Sequence, residues 1–88
     1  MEKLSRKQFL SQLPDIDQQA RDTQEPIMWM RLTGDDRSQS LVIVPGWPAA
    51  IQVDEKDLKK LSDQGYIRLE QRTSRGGTME ITEKGRGR

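Results

Sequence analysis

The chain contains no cysteine and no histidine. The first absence excludes disulfides, thiolate nucleophiles and thiolate-bound metal centres. The second removes the usual metal ligand and the usual general base near neutral pH. Aromatic residues are nearly as scarce, with one Phe, one Tyr and two Trp among 88 residues, so each holds a large share of any core that forms. No apolar run approaches the roughly 20 residues that span a bilayer. The opening MEKLSRKQFL also lacks the apolar block of a secretory signal. Neither sign of charge dominates, since 15 Lys and Arg against 14 Asp and Glu leave a net +1. A reducing, cytoplasmic setting without membrane association is expected.

Only 32% of the residues are apolar and the mean hydropathy is -0.90, so the core must be thin. The apolar residues nevertheless fall in periodic runs, which predicts one small folded domain over residues 1–88 rather than a disordered chain. The basic excess is displaced toward the C-terminal half: residues 1–44 carry a net -1 and residues 45–88 a net +2.

Ser5-Arg6-Lys7-Gln8 has the form of a capping box, with Leu4 and Phe9 at the two staple positions around it. It predicts a helix over 6–13 that stops before Pro14. Asp15 to Gln18 can cap a second helix over 16–24, with Ile16 and Ala20 as its apolar face. The continuous apolar run at 27–32 suits a strand with a core position, a short helix being the alternative. Thr33–Ser40 is a polar loop, and Leu41-Val42-Ile43-Val44 is the clearest strand in the chain. The two runs are expected to pair as a hairpin. Pro45-Gly46-Trp47-Pro48 breaks regular structure, and Ala49–Val53 leads to Asp54, a good cap for a helix over 55–64. Gly65 stops that helix. Strands over 66–72 and 78–82 follow, joined by a Thr73–Gly77 turn. Thr82 can then cap a further helix start at Glu83.

The segment DLKKL, then QGYIRL, then ITEKG, over residues 57–85, resembles the back half of bacterial winged-helix transcription factors. The resemblance implies a small α+β winged-helix-like domain that binds double-stranded DNA. It assigns Lys56, Lys59, Lys60 and Gln64 to the helix facing the major groove. Arg72, Ser74 and Arg75 fall on the wing, with Gly76 and Gly77 permitting close backbone approach to phosphate. Immediately upstream, two prolines and a glycine exclude the supporting helix of a helix-turn-helix. Asp54, Glu55, Asp57 and Asp63 would in turn repel phosphate.

Each of these features also has a plainer reading. The lysines of 55–64 form a solvated face paired to acids one turn away, and the glycines serve a hairpin turn. One Arg-Gly-Gly triplet is far too little for an arginine–glycine RNA-binding tail. The second functional expectation is therefore protein interaction or self-association, through the Trp47 loop and the edge of the 27–44 hairpin. Trp47 is expected rather to lid the core, with the interaction anchor as the alternative, and Trp29 is expected inside it. With no Ser-x-x-Lys motif, no phosphate loop and no EF-hand spacing, neither an enzyme, a cofactor nor a metal site is expected. The acid pairs Asp35-Asp36 and Asp54-Glu55 suit a loop tip and a helix cap.

Overall fold

Ser5 opens the first helix as its box predicts. The Gln8 amide donates to Ser5 Oγ (3.2 Å), and the Ser5 amide donates to Gln8 Oε1 (2.9 Å). The helix does not stop at Pro14. In the computed structural model, which describes residues 2–32 and 38–87, α1 runs unbroken over Arg6–Thr23 in place of the two helices expected at 6–13 and 16–24. Pro14 forfeits one intrahelical bond and crowds the preceding turn, at a cost of roughly 3 kcal/mol. Phe9, Leu13 and Ile16 are buried, and Ala20 packs behind them, along one continuous stripe. Breaking the helix at residue 14 would swing half of that stripe out of the core. Gln24 ends α1 in the left-handed conformation (φ 57°).

Five longer strands and one short one form a single sheet. They are β1 (Glu2–Lys3), β2 (Ile27–Arg31), β3 (Gln39–Ile43), β4 (Ile51–Asp54), β5 (Ile67–Gln71) and β6 (Gly76–Ile81), with α2 (Glu55–Asp63) between β4 and β5. The spatial order is β1-β4-β3-β2-β6-β5. β1 runs parallel to β4 and every other pairing is antiparallel. The described residues thus form a small α+β domain with two helices and a six-stranded mixed sheet.

Two strands escaped the sequence reading. β1 is only two residues long and carries no apolar alternation. β4 lies in the stretch read as a lead-in to the helix, but Ile51 and Val53 alternate inward and bury completely or nearly so. The Thr33–Arg37 part of the expected loop, Asp35-Asp36 included, lies outside the described residues. Gln39 and Ser40, assigned to that loop, begin β3. The turn after Thr82 spans 83–87 and forms no helix. It is held by Thr82 Oγ1, which donates to the Tyr66 carbonyl (3.0 Å) and accepts from the Gly85 amide (3.3 Å), and by Arg86 against Asp17 (3.0 Å).

The core lies between one face of the sheet and both helices. Ile27 and Trp29 of β2, Val42 of β3, Ile51 and Val53 of β4, Ile67 of β5, and Met79 and Ile81 of β6 share one side-chain parity. They meet Phe9, Leu13 and Ile16 of α1 and Leu58 and Leu61 of α2. Trp29 is in this core, its Nε1 donating to the Thr78 carbonyl (2.9 Å). Trp47 is half-buried and packs against the same cluster. Its loop is pinned to α1 by Gln19 Nε2, which donates to the Pro45 carbonyl (3.1 Å).

Candidate interaction site

Period-two alternation along an antiparallel strand sends every second residue to the face opposite the core. Both helices pack on the core face, so among the described residues no element covers the other side. On that outer face Met28 lies directly across from Ile43, and Met30 across from Leu41. Met28, Met30 and Ile43 are 44%, 40% and 40% exposed. Four large apolar side chains thus form one contiguous strip on the two central strands. The adjoining position on β6 is Gly76, directly across from Met30, which adds no side chain and leaves the strip open on that flank.

The rim of the strip is polar and internally neutralised. On the β1–β4 flank, Lys3 Nζ donates to Asp54 Oδ1 (2.5 Å) and to Gln39, and Gln39 Nε2 donates to the same Asp54 oxygen (2.5 Å). Gln52 completes the cluster by donating to Gln39 Oε1 (3.0 Å). The Lys3 hydrogen bond, and after it that from Gln39, holds the Asp54 carboxyl below its ordinary pKa. Asp54 occupies the N-cap position of α2, but its side chain makes no cap bond there. On the opposite flank Arg72 pairs with Glu70 (3.0 Å) and Arg68 with Glu80 (3.8 Å). Among the described residues of these two flanks, Lys3 with Asp54, Arg72 with Glu70 and Arg68 with Glu80 are each paired within the chain.

The residues assigned to a nucleic-acid surface divide between two sides of the molecule. Lys56, Lys59 and Lys60 are exposed on α2 and Gln64 at its C-terminal cap, in the helical layer. Arg72 follows the outward parity of Arg68 and Glu70, with Nε 3.5 Å from Thr78 Oγ1, and so belongs to the opposite face. The turn carrying Ser74 and Arg75 comes near the start of α2 through a residue that sequence reasoning passed over. Arg31 accounts for this: its Nε donates to Glu55 Oε1 (2.6 Å), its Nη1 to the Ser74 carbonyl (3.3 Å) and its amide to the Arg75 carbonyl (2.7 Å). Its guanidinium also lies 5.3 Å from the Trp29 ring centroid. Alternation from Ile27 and Trp29 was the signal that could have placed Arg31 on the inner face.

The solvated face on α2 was expected to be paired within the helix, and it is not. Glu55 serves Arg31, and among the described residues Lys56, Lys59, Lys60 and Arg75 make no ion pair.

The glycines of the Arg75-Gly76-Gly77 triplet lie in β6 rather than in the turn. A Cβ at Gly76 would stand 2.1 Å from the Trp29 carbonyl oxygen, and one at Gly77 1.9 Å from that of Glu70. The hairpin expected to offer a free edge offers none, because β2 lies between β3 and β6, and β3 between β2 and β4. Comparison of the chain with family models, with curated proteins and with solved structures gives no match.

Proposed function

We propose that this domain is a protein-interaction module that docks through the outer face of its sheet. The observation that carries the reading is the uncovered strip of Met28, Met30, Leu41 and Ile43. Single exposed apolar residues are ordinary, but a contiguous apolar patch with a polar rim has the anatomy of an interface. Methionine suits such a surface, because its unbranched side chain adapts to a partner. The edges of the sheet do not compete: β1 is two residues long, and β5 carries Arg68 and Glu70, both ways in which sheets avoid edge pairing. The Trp47 loop is a weaker candidate, since its indole already packs against the core.

A photo-crosslinking amino acid in place of Met28, with Gln18 on the exposed side of α1 as control, tests this in the cells that make the protein. Discrete adducts are expected from position 28 and none from position 18. No adduct from either position, or the same smear from both, would refute the reading.

One observation favours a second reading, weak phosphate binding of the winged-helix kind. Lys56, Lys59, Lys60 and Arg75, which make no ion pair among the described residues, carry charge on exposed positions of α2 and the adjoining turn, where Gln64 and Ser74 add hydrogen-bonding groups. The expected result of an amide-resolved NMR titration with a mixed-sequence duplex is a set of shifts confined to 55–64 and 73–76 and reversed by salt. Arg75→Ala should weaken them and Arg72→Ala should not, because Arg72 lies on the other face. Absence of shifts at low salt would dispose of this second reading.

A further inference from the structure

We infer that the occupant of the outer face is a second copy of this chain, the two sheets packing face to face about a two-fold axis; the inference rests on the docking-face reading above. A two-fold interface must be complementary to itself, so a patch dominated by one sign of charge would repel its own image. Here the described charges on the two flanks of the strip are of both signs and paired in place: Lys3 with Asp54, Arg68 with Glu80, Arg72 with Glu70. Such a face has no electrostatic claim on a polyanion or on a strongly charged peptide, and it places no repulsion in the way of a copy of itself.

Geometry agrees. An axis parallel to the strands, between β2 and β3, lays Met28 and Met30 of one copy over Leu41 and Ile43 of the other. The same rotation brings the Lys3–Asp54 flank over the partner's β5–β6 flank, so each mixed-sign rim meets a mixed-sign rim. Two aligned sheets stack in this way at about 10 Å, with their inner side chains interdigitating.

The area available is small. Five strands of four to six residues, with the two-residue β1 at one edge, present a face of at most roughly 24 by 17 Å. A pair of such faces falls at or below the small end of specific interfaces, which bury about 1,200–2,000 Å² in total. The dimer is accordingly reversible and weak, with a dissociation constant on the order of 100 µM.

Sedimentation velocity of the whole chain from about 10 µM to about 1 mM brackets that affinity. The expected result is a reversible monomer–dimer shift, weakened about tenfold or more by Met28→Lys with Ile43→Lys and unaffected by Lys59→Glu in the helical layer. Met30→Glu alone gives the same reading should the double variant fail to fold, as judged by circular dichroism. A monomer throughout the range overturns the second-copy inference. The docking-face reading then stands or falls separately, on whether the adduct from position 28 has a mass other than twice the chain. Association that persists unchanged in the folded double variant likewise overturns the second-copy inference, because some other surface then mediates it.

Discussion

Replacing Gly77 by Ala is expected to cost this domain about 3 kcal/mol or more, enough to lower its melting temperature by about 12 °C or more. The new Cβ would stand 1.9 Å from the Glu70 carbonyl oxygen and 2.7 Å from the Arg72 amide nitrogen. Both obstacles are backbone, so no side chain can rotate aside. β5 and β6 must separate, and β6 is the strand that joins β5 to the rest of the sheet. A domain of this length has in total only about 4–13 kcal/mol of stability. Gly76→Ala should behave alike, against the Trp29 carbonyl. Thermal unfolding followed by circular dichroism measures the loss. A variant as stable as the parent would show that β5 and β6 are not packed this closely, and would reopen the reading in which the glycines admit a ligand's phosphate.

Phe9→Ala is expected to have the next largest effect, about 3–5 kcal/mol. Phe9 is the chain's one phenylalanine and is fully buried, in the first turns of α1. It shares the buried cluster with the staple residue Leu4, whose amide donates to the Gln52 carbonyl as β1 runs out (2.9 Å). Truncation therefore opens a cavity where α1, β1 and β4 meet, and a thin core has little with which to refill it. By contrast, Met28→Ala and Ile43→Ala on the outer face should each cost about 0.5 kcal/mol or less, the range of ordinary surface substitutions. Urea titration at unchanged slope separates the two classes. Comparable losses from inner and outer positions would mean that both faces of the sheet are structural.

Local chemistry made much of the fold legible. Ser5 and Gln8 announced α1, Gly65 marked the end of α2, and the alternation of Ile67, Leu69, Met79 and Ile81 marked the last hairpin. Where the reading failed, a tertiary term had won. Pro14 signals a stop in isolation, but the in-phase stripe of Phe9, Leu13, Ile16 and Ala20 is worth more than one lost hydrogen bond. β1 has no local signature at all and exists because β4 offers it an edge. The glycines of the Arg-Gly-Gly triplet read as turn residues because the need for them lies across the sheet, at Trp29 and Glu70.

The candidate site was harder to read than the fold. The unbroken apolar run Ile27-Met28-Trp29-Met30 suits a strand buried on both faces, and only the topology shows that, among the described residues, one of those faces has no cover. The charged residues chosen for their type lie on two opposite faces. Type alone says nothing of side: Arg72 and Arg75 are three residues apart, and the turn between them separates their surroundings. Arg31 went unremarked because its role depends on Glu55 and Ser74, which are distant in sequence.

If the outer face is a docking surface, Met28 and Met30 stand free of the fold and are covered only on docking. Methyl-labelled methionine NMR with a soluble paramagnetic agent, run on dilute and then concentrated protein, distinguishes free from covered methyls. The expected result is strong relaxation of the Met28 and Met30 methyls but not of Met79 in dilute solution, with the first two becoming protected as concentration rises. Protection of Met28 and Met30 already at high dilution, or relaxation of all three alike, would contradict it.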